Sequence, residues 1–158
     1  MPVEIMPMAA EEAATASELI GSLIQSLSYY NERARTEEVN KYTAPQLMEQ
    51  ISEDPDSVLL AKENEEIVGF CISKYDDGLI WLSWFGVLSN HRKQGIGEKM
   101  LVALEESVHR RRSHKIWCDT RSVNVNAQSV LRKAGFVKIA SLENHWYGQD
   151  FFLWEKVV

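Results

Sequence analysis

The stretch Asn90-His91-Arg92-Lys93-Gln94-Gly95-Ile96-Gly97-Glu98 joins an apolar, strand-like segment, Leu79 to Leu88, to an amphipathic helix that opens near Gly97. A glycine turn between strand and helix has a physical consequence. Glycine lets the backbone approach a ligand closely, and the first N–H groups of a helix have no partner within it and carry partial positive charge. Phosphate is a natural occupant of such a place. Glycine-containing strand-to-helix turns are common, so the surrounding elements must decide what this one holds.

Downstream, Ile96, Met100, Leu101, Leu104 and Val108 fall on one helical face. Lys115 to Thr120 reads as a strand and Ala127 to Ala134 as a short helix closed by Gly135, while Phe136 to Ala140 and Phe151 to Val157 form a strand pair. Upstream, Val3 to Met6 is a short strand, and Ala16, Leu19, Ile20, Leu23, Ile24 and Leu27 recur at helical spacing. Tyr29 to Thr43 reads as a polar connection leading through Pro45 into a helix over Gln46 to Ile51. Val58 to Lys62, Ile67 to Lys74 and Leu79 to Leu88, joined by charged or glycine turns, form an antiparallel meander. The order β-α-α-β-β-β-α-β-α-β-β predicts an α/β (α+β) fold with a mixed, mostly antiparallel sheet of about seven strands flanked by helices. No repeat or linker divides it, so residues 1–158 are expected to form one domain. In such a sheet, ligands sit beyond the carboxyl ends of parallel strands, where the strand ending at Leu88 meets the Gly97 helix.

With 158 residues, 45% of them hydrophobic, the chain can bury one ordinary core. A net charge of −6 argues against nucleic acid as a partner and slightly favours cationic ones such as polyamines, lysines and free N-termini. The one basic cluster, Arg110-Arg111-Arg112, reads as cations complementing the end of the Gly97 helix in preference to an RNA-binding patch. Cys71 and Cys118 lie in apolar runs and are expected as buried free thiols. No stretch is long and apolar enough for a membrane span, and Met1-Pro2-Val3-Glu4 opens no signal sequence, so a cytoplasmic protein without a membrane partner is expected.

Arg92-Lys93-Gln94-Gly95-Ile96-Gly97 matches the R-x-x-G-x-G signature of the GNAT superfamily of N-acetyltransferases, and Asn124-Val125-Asn126-Ala127, followed by a short helix ending in Gly135-Phe136, resembles its second motif. The resemblance covers nearly the whole chain. It implies acetyl-CoA as co-substrate, no metal, and a small-molecule or peptide amine as acceptor, in a monomer or homodimer. Backbone N–H groups of Arg92, Lys93, Gln94, Gly95, Ile96 and Gly97 would hold the pyrophosphate. Exposed backbone of Phe85, Gly86 and Val87 would pair with the pantetheine arm at a bulge, for which Gly86 is a plausible place. Asn124 would reach the pantetheine, cap the following helix, or do both. The helix from Ala127 would line the other side of the cofactor, with Leu131 and Phe136 in the core.

Acyl transfer to an amine requires a neutral amine, a stabilised oxyanion and a proton for the departing thiolate. The family's frequent tyrosine acid is replaced here by Leu131, and Leu79 to Val87 lacks the usual carboxylate base, offering Trp81, Ser83 and Trp84. The loss matters by an amount that depends on the acceptor. A lysine amine of pKa about 10.4 is neutral about once in 2,500 at pH 7, a cost of about 4.6 kcal/mol, against about 1 kcal/mol for an α-amine of pKa about 7.7. Replacement candidates are Tyr147 as acid, His145 as base and Asp119 as base. Against these stand an aromatic hairpin loop for the first two and an ion pair with Arg121 for Asp119. Tyr29, Tyr30 and Tyr42 wall an acceptor pocket or simply pack. Neither cysteine lies in a motif, so direct transfer is expected. The main alternative is a catalytically weak CoA-binding regulatory module. A peptide N-terminus, polyamine, amino acid or aminoglycoside all remain open as acceptor.

Overall fold

Alternating side chains along the strands divide the molecule into three layers, as a computed structural model describing residues 2–158 shows. The strands are β1 (Glu4–Pro7), β2 (Val58–Glu63), β3 (Glu66–Asp76), β4 (Leu79–Val87), β5 (Lys115–Arg121), β6 (Val137–Leu142) and β7 (Phe151–Val157), in a seven-stranded sheet of order β1-β2-β3-β4-β5-β7-β6. The expected meander is present, with Asn64, Glu65, Asp77 and Gly78 in left-handed conformations at its two tight turns. Among the described residues only β4 and β5 run parallel, so the sheet is mixed and mostly antiparallel, as the sequence predicts.

One face of the sheet carries α1 (Ala13–Ser26), α2 (Glu32–Val39) and α3 (Ala44–Glu53). There Ala16, Ile20, Ile24 and Leu47 bury against Val58, Leu60, Phe70 and Ile72. The other face carries α4 (Ile96–Arg110) and α5 (Val125–Lys133). Ile96, Met100, Leu104, Val108 and Leu131 pack there on Cys71, Ile80, Leu82, Ile116, Cys118 and Trp154. Each such aliphatic side chain contributes about 1.5–3 kcal/mol by leaving water. Both cysteines are buried and free, and burial pushes the Cys71 thiol up to about 12.

Two expectations are corrected and a third is extended. The polar connection contains α2, whose N-terminus is held by the Asn31 side chain accepting the Ala34 N–H at 2.9 Å. Only Ala34 of this helix is buried, so no apolar stripe announces it. α3 begins ahead of Gln46 because Thr43 and Gln46 form a reciprocal capping box. The arginine cluster forms ion pairs beyond its own helix: Arg110 grips Asp56 with two hydrogen bonds of 2.9 and 3.2 Å, and the buried Arg111 donates to Asp54 at 2.9 Å and Ser73 at 2.8 Å. No helix among the described residues is long and apolar enough to cross a membrane.

Candidate functional site

The sheet comes apart between its two parallel strands. β4 and β5 pair only at Ile80 with Ile116, Trp81 with Trp117 and Leu82 with Cys118. Beyond that point β4 continues on β3 as far as Val87 opposite Gly69, and β5 continues on β7 as far as Arg121 opposite Phe151. Ser83 to Val87 and Asp119 to Arg121 therefore flank an opening with no ladder between them. The register of β3 against β4 shifts so that Leu82 faces Ser73 and Trp84 faces Ile72, leaving Ser83 as the extra residue of a bulge. The irregularity is thus at Ser83 and not at Gly86. Gly86 is small for a different reason: a Cβ there would lie 2.9 Å from the Trp84 ring and 3.1 Å from Leu23. Phe85, Gly86 and Val87 lie along the open edge, where the Val87 carbonyl accepts a hydrogen bond from Arg92 Nε at 3.1 Å.

At the end of that edge, Gly95 caps α4 in a left-handed conformation (φ 76°), with Lys93 also left-handed (φ 62°). Among the described residues, no N–H from Arg92 to Gly95 donates to a backbone carbonyl outside regular elements, and no side chain caps the helix. The two glycines have separate roles. A Cβ on Gly95 would meet open space, so its backbone conformation is what requires glycine, whereas a Cβ on Gly97 would lie 3.4 Å from Val130 of α5. The Ile96 side chain is buried in the core, so only its backbone faces the loop. Asn124 caps α5 by accepting the Ala127 N–H at 3.2 Å, and both residues also line the neighbouring cleft.

That cleft, of about 940 Å³, lies on the α1–α3 side of the opening. Tyr29, Tyr30 and Tyr42 wall it from the connections around α2, Trp81 and Trp84 from β4, and Trp117, Asp119 and Arg121 from one face of β5. His145, Trp146 and Tyr147 close it from the β6–β7 loop. All three expected catalytic candidates therefore border one cavity. Trp81 meets Trp117 edge-on at 4.5 Å, and Trp84 Nε1 donates to the Tyr30 hydroxyl at 3.1 Å. Burial pushes Tyr30 up to about 12. Tyr147, left-handed at φ 57°, donates its hydroxyl to Glu38 of α2 at 2.9 Å and accepts from Lys41 at 3.4 Å. Burial and this bond to Glu38 both raise its pKa. His145 is exposed, with its ring edge-on to Trp146 at 4.3 Å.

The side-chain carboxyl of the half-buried Asp119 makes no hydrogen bond or ion pair among the described residues. Its expected pairing with Arg121 does not form: the Arg121 guanidinium lies 3.8 Å over the Tyr30 ring and donates through Nε to Gln149 at 3.0 Å. Burial pushes the Asp119 carboxyl from 3.8 to about 7, against the opposing pull of Arg121. Leu131, as expected, is core. Sequence reasoning missed Glu38 and Lys41 as cleft residues; their i,i+3 spacing in a charged segment was the available signal. No group of three or more His, Cys, Asp or Glu able to hold a metal occurs among the described residues.

None of the curated proteins matches the sequence. The chain is similar in structure to the PaiA N-acetyltransferase of Thermoplasma acidophilum in complex with coenzyme A, at 20% identity and a TM-score of 0.84 over 100% of both chains. It is also similar to the ribosomal-protein-alanine N-acetyltransferase of Brucella melitensis, at 20% identity and a TM-score of 0.78 over 98% of this chain and 99% of that one. YncA of Salmonella typhimurium, a putative acetyltransferase solved with its cofactor acetyl-CoA, aligns at 19% identity with a TM-score of 0.74, over 98% and 93%. At these identities the likeness establishes the fold. The sequence model of the acetyltransferase (GNAT) family matches residues 24–136, including the glycine loop and the motif from Asn124 to Phe136, and the chain belongs to that family.

Proposed function

We propose that the protein is an N-acetyltransferase that binds acetyl-CoA in the opening between β4 and β5 and delivers the acetyl group directly to a primary amine in the aromatic cleft. The observation carrying this reading is the continuity of the opening. The unpaired edge of β4, which ends at Val87 just ahead of the loop into α4, borders at Ser83 to Phe85 the same cleft as the unpartnered carboxyl of Asp119. Neighbours of the same fold solved with coenzyme A or acetyl-CoA support it.

The residues fit such a group. The N–H groups from Arg92 to Gly97 suit a pyrophosphate, the edge at Phe85, Gly86 and Val87 suits an extended amide-bearing arm, and Asn124 and Ala127 bound it on the α5 side. When bound, acetyl-CoA supplies a thioester carbonyl open to attack by nitrogen. Asp119 receives one proton from the incoming ammonium. The second leaves the nitrogen as the N–C bond forms and the C–S bond breaks, and departs on the thiol. A base titrating at about 7 is well matched to this work. Tyr147, its hydroxyl committed to Glu38, and the rim residue His145 bound the acceptor side.

Calorimetry with acetyl-CoA tests the binding step, and no binding at millimolar concentration sinks the proposal. Thiol release over a panel of amines tests transfer, with a rate expected to fall as pH drops through about 7. Tight acetyl-CoA binding without thiol release from any amine would identify a CoA-binding module instead.

A further inference from the structure

Two arginines of this chain are equally buried, each 8% exposed, and they differ in one respect. Arg111 is neutralised by Asp54 and bonded to Ser73. Arg121 has no ion pair among the described residues. Its Nε donates to Gln149, a neutral amide itself tied to the Tyr29 carbonyl at 2.9 Å, and neither terminal nitrogen donates to any protein acceptor. Its face is covered by aromatic rings, with Tyr30 at 3.8 Å and Phe151 at 5.1 Å. Stacking holds a guanidinium in place and offsets part of its lost hydration, but it leaves the in-plane donors unused. A largely buried guanidinium with no carboxylate bonded to it, its fork open to a cleft, is preorganised for an anion that a ligand brings.

The position of Arg121 says what kind of ligand. It stands two residues beyond Asp119 on the same face of β5, so the two Cα atoms are about 6.7 Å apart. Trp117 stands two residues before Asp119 on that face, edge-on to Trp81, with Trp146 a further 6.5 Å from Trp81. The buried Trp117 Nε1 is likewise without a partner. One strand face thus presents, in order, an apolar aromatic wall, a proton acceptor and an open guanidinium fork.

We propose that Arg121 anchors a carboxylate and that the amine acceptor is a free α-amino acid with a large apolar side chain. Its amine would face Asp119, its carboxylate the Arg121 fork, and its side chain the tryptophan wall. This inference rests on the transferase reading above and narrows its acceptor.

The first test uses the wild-type protein. Thiol release is compared for free phenylalanine, leucine and tryptophan, for phenylalaninamide and phenethylamine, for spermidine, and for short peptides with apolar or acidic first residues. The free amino acids are expected to exceed the amide and the simple amine by about 100-fold in kcat/KM. Equal rates with and without the carboxylate overturn the proposal, as does a preference for spermidine or for peptides. The second test is Arg121→Gln, expected to bring that ratio down to within about threefold of unity by raising the KM of the amino acid. Arg121→Lys, which keeps the charge without the fork, should recover part of it. Calorimetry with acetyl-CoA separates the remaining explanation: a large loss of acetyl-CoA affinity in Arg121→Gln would assign the guanidinium to the co-substrate and overturn the acceptor role. A readout independent of turnover is quenching of tryptophan fluorescence by free phenylalanine, expected in the wild type and weakened in Arg121→Gln. If the wild type fails to bind acetyl-CoA but binds the amino acid, the transferase reading fails while the carboxylate anchor stands.

Discussion

Asp119 is an ordinary carboxyl in a setting that favours its neutral form. Burial raises its pKa to about 7, so between about 4 and 7 the folded protein holds a proton that the unfolded chain releases. Stability contributed by this group is therefore present at low pH and lost as pH rises through that window. Replacing Asp119 by Asn should raise the melting temperature at pH 8, with the difference fading near pH 4. The same change should lower kcat/KM by about 10²–10⁴-fold and remove the limb near pH 7. A variant that melts lower than wild type at pH 8 would show instead that the carboxylate has a stabilising partner. Gly95 allows a complementary test. Its Cβ direction is open and aspartate tolerates the left-handed region better than most residues, so Gly95→Asp should cost only the backbone strain of about 1 kcal/mol and lower the melting temperature by a few degrees without unfolding the protein. A carboxylate placed before the α4 N-terminus should nevertheless weaken acetyl-CoA binding by about tenfold or more in calorimetry. Both residues were visible in the sequence as candidates. What the sequence could not show is that Asp119 lacks a partner, because that depends on where the Arg121 side chain goes.

At the scale of elements, the segment from Tyr29 to Tyr42 and the β6–β7 loop form two walls of the cleft and are tied to each other. Asn31 donates to the Tyr147 carbonyl at 2.9 Å while its side-chain oxygen caps α2, and Glu38 accepts the Tyr147 hydroxyl. Asn31→Ala removes both the cap and the tie. It should cost about 1 kcal/mol in chemical denaturation and raise the acceptor KM while leaving acetyl-CoA affinity unchanged. An unchanged acceptor KM would mean that the loop holds its position without α2. Helices α1 and α4 were legible because each turns a long apolar stripe to the sheet. α2 was not, because it is short, polar on nearly every side, and held by a cap and by contacts across the cleft. The bulge was expected from the family pattern, but its place at Ser83 follows from register against β3, which no local pattern encodes.

At the scale of the whole molecule, a partly buried ion pair joins parts far apart in sequence. Arg111, at the end of α4, reaches Asp54 after α3 and Ser73 on β3. Arg111→Ala leaves the partly exposed Asp54 carboxylate without its cation and should destabilise the fold by about 2–3 kcal/mol in urea denaturation. If the rest of the fold holds, acetyl-CoA affinity under native conditions should be unchanged, since neither Asp54 nor Ser73 borders the cleft. The sequence by itself determined the succession of elements apart from α2, the glycine loop at the mouth of α4, the free buried cysteines and the family. These follow from local periodicity, turn chemistry and adjacent residues, which short windows record. Only the tertiary structure decided that β7 lies between β5 and β6, that β4 and β5 part after three pairs, and that Arg121 turns from Asp119 to the tyrosines. Those features arise from packing between segments distant along the chain, where the partner of a side chain is chosen by proximity in space.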